Sequence, residues 1–208
     1  MALEFDTSFD PAYGQAVAVA PEVLRITARN PSPFTFHGTN SYLVGRDTLA
    51  VIDPGPEEDA HLETLLAAIA GRSVSHIFVS HTHRDHSPLA ARLRERTGAP
   101  TLAEGPHRPA RPLRIGEVNP LDASADLGFV PDVVLADNAL TQGDGWAIRT
   151  VLTPGHTANH AVFALEGTGT LFSADHVMAW STSIVAPPDG AMADYMNSLD
   201  RLLARDDR

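Results

Sequence analysis

Apolar positions along this chain change period several times, and each change predicts an element boundary. Val17 to Ile26 alternates irregularly around Pro21 and reads as strand. Asn40-Ser41-Tyr42-Leu43-Val44 is a short strand ending at Gly45, and Leu49-Ala50-Val51-Ile52 follows after the polar turn Arg46-Asp47. Two prolines around a glycine in Asp53-Pro54-Gly55-Pro56 cannot continue a ladder, so a loop begins there. Leu62, Leu65, Leu66 and Ile69 then recur at three and four, acidic residues crowd the first turn, and Gly71 can end the run. That predicts a helix from Glu57 to Ala70. Ser75 to Val79 is a strand feeding a histidine-rich stretch, after which Ser87-Pro88 predicts an N-cap and first position of a helix to Arg96. From Glu104 to Pro131 prolines are frequent and no period is clear, as in a long binding loop or a disordered stretch. Trp146–Leu152, Ala161–Leu165 and Thr170–Ser173 read as strands, the last two joined as a hairpin by Glu166-Gly167-Thr168-Gly169. Met192, Met196, Leu199, Leu202 and Leu203 give an amphipathic helix from Met192 to Ala204. Strands and helices interleave, so the class is α/β or α+β.

Composition narrows the chemistry. The 208 residues suit one large domain, or one domain and part of another, with a sizeable core. No apolar run approaches the roughly 20 residues of a membrane span. Met1 to Asp6 lacks the basic flank and apolar stretch of a signal peptide, so a cytoplasmic location and no membrane partner are expected. Cysteine is absent, which excludes thiolate ligands and leaves His, Asp and Glu to hold any metal. A net charge of −11 argues against broad adhesion to nucleic acid. Lysine is absent too, and six arginines fall close together: Arg92, Arg94, Arg96, Arg108, Arg111 and Arg114. They read first as a solvated helix face followed by a proline-rich loop, and second as a patch for a phosphate-bearing substrate.

The candidate chemistry lies in His81-Thr82-His83-Arg84-Asp85-His86. His81 and His83 flank one residue just past a strand, so both rings can turn toward one point, and Asp85 and His86 add donors from the same turn. Imidazoles with carboxylates suit Zn²⁺, with Fe or Mn as alternatives in a more oxygen-rich site. Surface histidines at a helix N-terminus are the plain alternative, but three imidazoles beside a positive dipole end gain nothing there. Further donors are His156, in the turn Thr153-Pro154-Gly155-His156-Thr157, and Asp175, in Phe172-Ser173-Ala174-Asp175-His176. Both follow strands, where loops along one sheet edge form a rigid pocket mouth. His61, His76 and His107 read as structural or solvated, and His160 as packing near the His156 turn.

These motifs resemble the metallo-β-lactamase superfamily, whose His-x-His-x-Asp-His signature His81, His83, Asp85 and His86 match. His156 matches its third histidine, Asp175 its bridging aspartate, and Asp53 in Val51-Ile52-Asp53-Pro54-Gly55 an early aspartate that supports the metal loop without binding metal. Pro33-Phe34-Thr35-Phe36-His37-Gly38-Thr39-Asn40-Ser41-Tyr42-Leu43 and Asp194-Tyr195-Met196-Asn197-Ser198-Leu199 are similar to the branch called β-lactamase-like protein 2. Animal members of that branch are mitochondrial endoribonucleases acting on single-stranded RNA. The resemblance spans roughly Ala16 to Ala204, within one metallo-β-lactamase domain taken over 1–208, and implies a four-layer αβ/βα sandwich.

It also implies two zincs: His81, His83 and His156 on the first, Asp85 and His86 on the second, Asp175 bridging. The last histidine of the second site, in a Pro-Gly-His turn, has no counterpart after Asp175, and by the family pattern would lie just beyond Arg208. A truncated chain is therefore expected, its second half incomplete, with one full metal site and one weak or labile. His37 is expected near substrate and His176 to orient ligands. The implied mechanism is attack by a metal-activated hydroxide, with Asp85 orienting it and taking a proton. Three readings stay open: hydrolysis of phosphodiesters, as in single-stranded RNA; hydrolysis of a thioester, lactone or β-lactam in a small molecule; or a metal-binding chain with little activity.

Overall fold

A computed structural model describes residues 5–119 and 124–207. Two sheets stack face to face. The first runs in the order β1 (Val17–Ala20), β2 (Val23–Thr27), β3 (Asn40–Val44), β4 (Thr48–Ile52), β5 (Ser73–Phe78), β6 (Thr101–Ala103) and β7 (Val133–Val134). The second is β11 (Thr170–Phe172), β10 (Ala161–Leu165), β9 (Ala147–Leu152) and β8 (Leu140–Gln142). Pairing is antiparallel from β1 to β4 and parallel from β4 to β7, as the crossovers through α1 (Asp59–Ile69) and α2 (Ala90–Thr97) require. The second sheet is antiparallel throughout. The mixed α/β class expected from the sequence is what forms.

Alternation divides the core. Along β4, Leu49 and Val51 face the helices, where they meet Leu62, Leu65, Leu89 and Leu93. Ala50 and Ile52 face the other way, toward Trp146, Ile148, Phe163 and Phe172 of the second sheet. Phe78 fills the centre between the sheets, with its ring 5.2 Å from that of Phe163. None of the described helices is long and apolar enough to cross a membrane.

Several expectations shift. Val17 to Ile26 is two antiparallel strands, because Pro21-Glu22 makes a turn with Glu22 at φ 58° and pairs Val17 with Arg25. Helix α2 starts at Ala90, and the Ser87 hydroxyl donates to Asp126 (2.8 Å), so it caps no helix amide. The long excursion ends just before β7, and positions 120–123 of it lie outside the described residues. Strands β7 and β8 have two and three residues, too few to carry a readable period. In α3 (Met192–Leu203), Met192, Met196 and Leu203 face solvent. That helix docks through Tyr195, Ser198 and Arg201, whose polar atoms bond to carbonyls of His176, Pro154 and Leu152.

Candidate metal centre

Parallel strands carry their loops out at the same edge, and the site is built there. Past β4, Asp53 turns left-handed (φ 50°) and its amide donates to the Phe78 carbonyl at the end of β5. The buried Asp53 carboxylate then accepts from the Ser80 amide (2.7 Å), the Ser80 hydroxyl (2.7 Å) and His86 Nδ1 (2.9 Å). Residues 81–86 are strapped by the long excursion: the Arg84 amide donates to the Ser124 carbonyl and the Asp126 amide to the Thr82 carbonyl. His156 follows β9 in a turn whose Gly155 has φ 144° and lies so close to α3 that a Cβ would sit 2.3 Å from Tyr195 Cα. Asp175 lies in a 3₁₀ turn (Ala174–His176) after β11.

The side chains converge. His83 Nδ1 lies 3.0 Å from both His81 Nε2 and His156 Nε2. Asp175 Oδ2 is 3.9 Å from His81 Nε2 and 3.6 Å from His156 Nε2, while its Oδ1 is 3.4 Å from His86 Nε2. Asp85 Oδ2 completes the second group, 3.3 Å from His86 Nε2. The donors thus form two sets sharing Asp175: His81, His83, His156 and Asp175; and Asp85, His86 and Asp175. All six residues singled out as ligands in the sequence are brought together.

The donor chemistry fits a metal ion. Three of the four outer nitrogens have their own acceptors: His156 Nδ1 donates to the Ile184 carbonyl (2.6 Å), His86 Nδ1 to Asp53, and His81 Nδ1 to the Ser80 hydroxyl (3.0 Å), while His83 Nε2 has no hydrogen-bond partner. That leaves the inner nitrogens of His156, His86 and His81 with lone pairs toward the centre. Burial, then the neighbouring imidazoles, pushes His81 well below the usual imidazole range and His83 down to about 3. For His86, burial opposes the charge but Asp85, Asp175 and Asp53 outweigh it and hold the imidazole well above its ordinary value. Burial raises Asp85 and Asp175, but the charge and hydrogen bond of His86 together with smaller contributions, the Thr39 hydroxyl at Asp85 and His156 at Asp175, leave both below the usual carboxylate value. Within each donor set, ligand atoms crowd to within 4.8 Å of one another at a largely buried point, an arrangement that a divalent cation stabilises.

Beside the donors opens a cavity of about 370 Å³, lined by Asp85, His86, Asp175 and Thr39 at its floor. Thr39 donates its hydroxyl to Asp85 Oδ2 (2.7 Å). The walls are aromatic: Phe36 stacks on Trp180 (5.1 Å, 12°), and His37 stacks on Phe9 (5.9 Å, 18°). His37 therefore lies on the cavity wall. No arginine lines this cavity among the described residues. Arg92, Arg94, Arg96, Arg108 and Arg111 are each paired with an acid elsewhere: Asp59, Asp132, Glu63, Glu104 and Glu117. Five of the six arginines of this stretch thus form surface ion pairs, and none of the six lines the cavity as a phosphate patch. The His176 ring is buried and hydrogen-bonds to no ligand; it packs on Tyr195 (4.6 Å) and His160 (5.6 Å). Sequence reasoning missed Ser80, Thr39 and the Phe9–Phe36–Trp180 wall. Ser80 stood beside His81 as a signal, whereas Trp180 lay in a stretch without any period.

A family model described as the metallo-beta-lactamase superfamily matches residues 34–208. The chain is similar to an atrochrysone carboxyl ACP thioesterase of Paecilomyces divaricatus, 30% identical over 191 residues that cover 90% of this chain and 54% of that protein. It is also similar to the beta-lactamase-like protein 2 homolog of Drosophila melanogaster, 33% identical over 190 residues, 87% of this chain and 60% of the relative. It spans little more than half the length of these relatives. Among solved structures, a beta-lactamase domain protein from Burkholderia ambifaria superposes with a TM-score of 0.71, at 24% identity over 95% of this chain and 70% of the other.

Proposed function

Because the chain belongs to the metallo-β-lactamase superfamily, we propose that it is a zinc-dependent hydrolase of a carboxylic acid derivative, foremost a thioester with an apolar or aromatic acyl group. The observation that carries this is the combination of a histidine–aspartate donor set with an aromatic, arginine-free cavity. His81, His83, His156 and Asp175 would hold one zinc, and Asp85, His86 and Asp175 would hold a second more weakly, having three donors against four. Zinc supplies Lewis-acid polarisation and makes water acidic enough to be a nucleophile near neutral pH. Asp85, fixed by Thr39 and facing the cavity, orients the attacking water and accepts its proton. Asp53 and Ser80 keep His86 and His81 in the tautomer that presents Nε2. Phe36 and Trp180 pack against the acyl group and exclude water. The fungal relative is named a thioesterase, which agrees with this choice of bond.

Hydrolysis of single-stranded RNA is the second reading, favoured by the Drosophila relative and by the capacity of aromatic walls to stack bases. The commitment of five of the six arginines to ion pairs opposes it. A panel of benzoyl and acetyl thioesters, single-stranded RNA, bis-p-nitrophenyl phosphate and nitrocefin separates the two. The expected result is thioester turnover lost to chelator, with F36A and W180A raising KM for the benzoyl substrate about tenfold, the value of one aromatic contact. Cleavage of RNA or the phosphodiester with both thioesters untouched overturns the proposal.

A further inference from the structure

Between the two metal-binding histidines of the first half stands Thr82, whose side chain is fully buried and points away from the donors into a polar network. Its hydroxyl accepts from Asn159 Nδ2 (3.0 Å) and lies 3.2 Å from His107 Nδ1. His107 Nε2 faces the buried Asp189 carboxylate at 3.5 Å, and Asn119 Nδ2 donates to the other carboxylate oxygen at 2.6 Å. Asn159 Nδ2 also donates to the Gly105 carbonyl (3.1 Å), and its oxygen accepts from the Thr157 hydroxyl (3.0 Å). If the Thr82 hydroxyl, which accepts from Asn159, donates to His107 Nδ1, the His107 Nε2–H is turned toward the Asp189 carboxylate at 3.5 Å, an electrostatic contact longer than a hydrogen bond.

The members come from both halves of the fold. Thr82 belongs to the loop after β5, which carries His81 and His83. Thr157 and Asn159 belong to the turn after β9, which carries His156. Asp189 precedes Gly190, whose backbone lies so close to that turn that a Cβ would sit 2.7 Å from the Gly155 carbonyl and 2.9 Å from that of His156. The Ala191 amide donates to the same Gly155 carbonyl (2.9 Å). One hydroxyl therefore ties the loop of His83 to the turn of His156, whose ligand atoms stand 3.0 Å apart.

We infer that Thr82, through Asn159 and the His107–Asp189 pair, is a positioning residue that sets the spacing of the His81–His83–His156 donors before any ion binds. This inference rests on the reading of that cluster as a metal centre. A preformed donor set loses less freedom on binding, so the network raises affinity and fixes geometry without touching the ion. Valine matches threonine in shape but lacks the hydroxyl. T82V should bind the first equivalent of Zn²⁺ at least about tenfold more weakly in chelator competition, within the range of supporting residues around metal ligands. Its Co²⁺ derivative should show an altered visible absorption band. T82S should restore both, and H107Q, which keeps a donor for Asp189 but loses the bond to Thr82, should shift both in the T82V direction even if T82V fails to fold. Wild-type affinity and an unchanged Co²⁺ spectrum in folded T82V, or in H107Q where T82V does not fold, overturn the inference while leaving the metal centre standing. Absence of tight Zn²⁺ binding by the wild type overturns both.

Discussion

Asp53 illustrates how much chemistry one residue carries without holding an ion. Its left-handed backbone and three accepted bonds join the end of β4 to Ser80 and to His86. The run Val51-Ile52-Asp53-Pro54-Gly55 made its position legible, because a strand stopping at an aspartate and two prolines exposes a carboxylate at a sheet edge. Its coupling to His81 through Ser80 was not legible, since that depends on the strand register between β4 and β5. His61 is a buried imidazole away from the donor cluster, read from sequence as structural or solvated; in the fold it is structural, bonded to the Ser41 hydroxyl at 2.9 Å. Burial pushes its pKa from 6.5 down to about 4. The unfolded chain then binds more protons than the folded one between those values, so His61 favours folding above pH 6.5 and this contribution is lost as pH falls toward 4. Urea unfolding in chelator at pH 7 and pH 4.5 should show H61Q losing about 2 kcal/mol less than wild type on acidification. An equal loss in both proteins contradicts this assignment.

At the scale of elements, the site is a set of strand ends. The strands β3, β4, β5, β9 and β10 were readable because each buries a run or an alternation of apolar residues long enough to have a period. What failed was local: Pro21 made a hairpin, Ser87 bonded Asp126, and α3 turned its methionines outward. The first is local turn chemistry, and in the other two a tertiary partner outweighed the local preference. The Gly155 turn is where element packing and chemistry meet, since it both aims His156 and seats α3. G155A should lower Tm by about 5–10 °C, from left-handed strain plus a clash with the Tyr195 backbone. G167A, at φ 77° with open space around it, should cost only about 1 kcal/mol, so the difference between the two measures α3 docking. Equal melting temperatures for the two variants contradict the close approach of α3.

At the scale of the molecule, two sheets from opposite halves of the chain meet so that His81, His83, Asp85 and His86 from one face His156 and Asp175 from the other. The donors were legible as motifs; the cavity wall was not, because Phe9, Phe36 and Trp180 come from three irregular segments with no period. The net charge of −11 and the paired arginines give that cavity no attraction for a polyanion, whereas its rings and buried donors suit an uncharged acyl group. Metal-dependent hydrolysis at this junction is checked by following benzoyl thioester hydrolysis by protein stripped of metal and titrated with Zn²⁺. The stripped protein should be inactive, and activity should return over the first one or two equivalents in the wild type but not in H83A or H156A. A stripped protein that hydrolyses the thioester at the undiminished rate, or a wild type that Zn²⁺ leaves inactive, contradicts it.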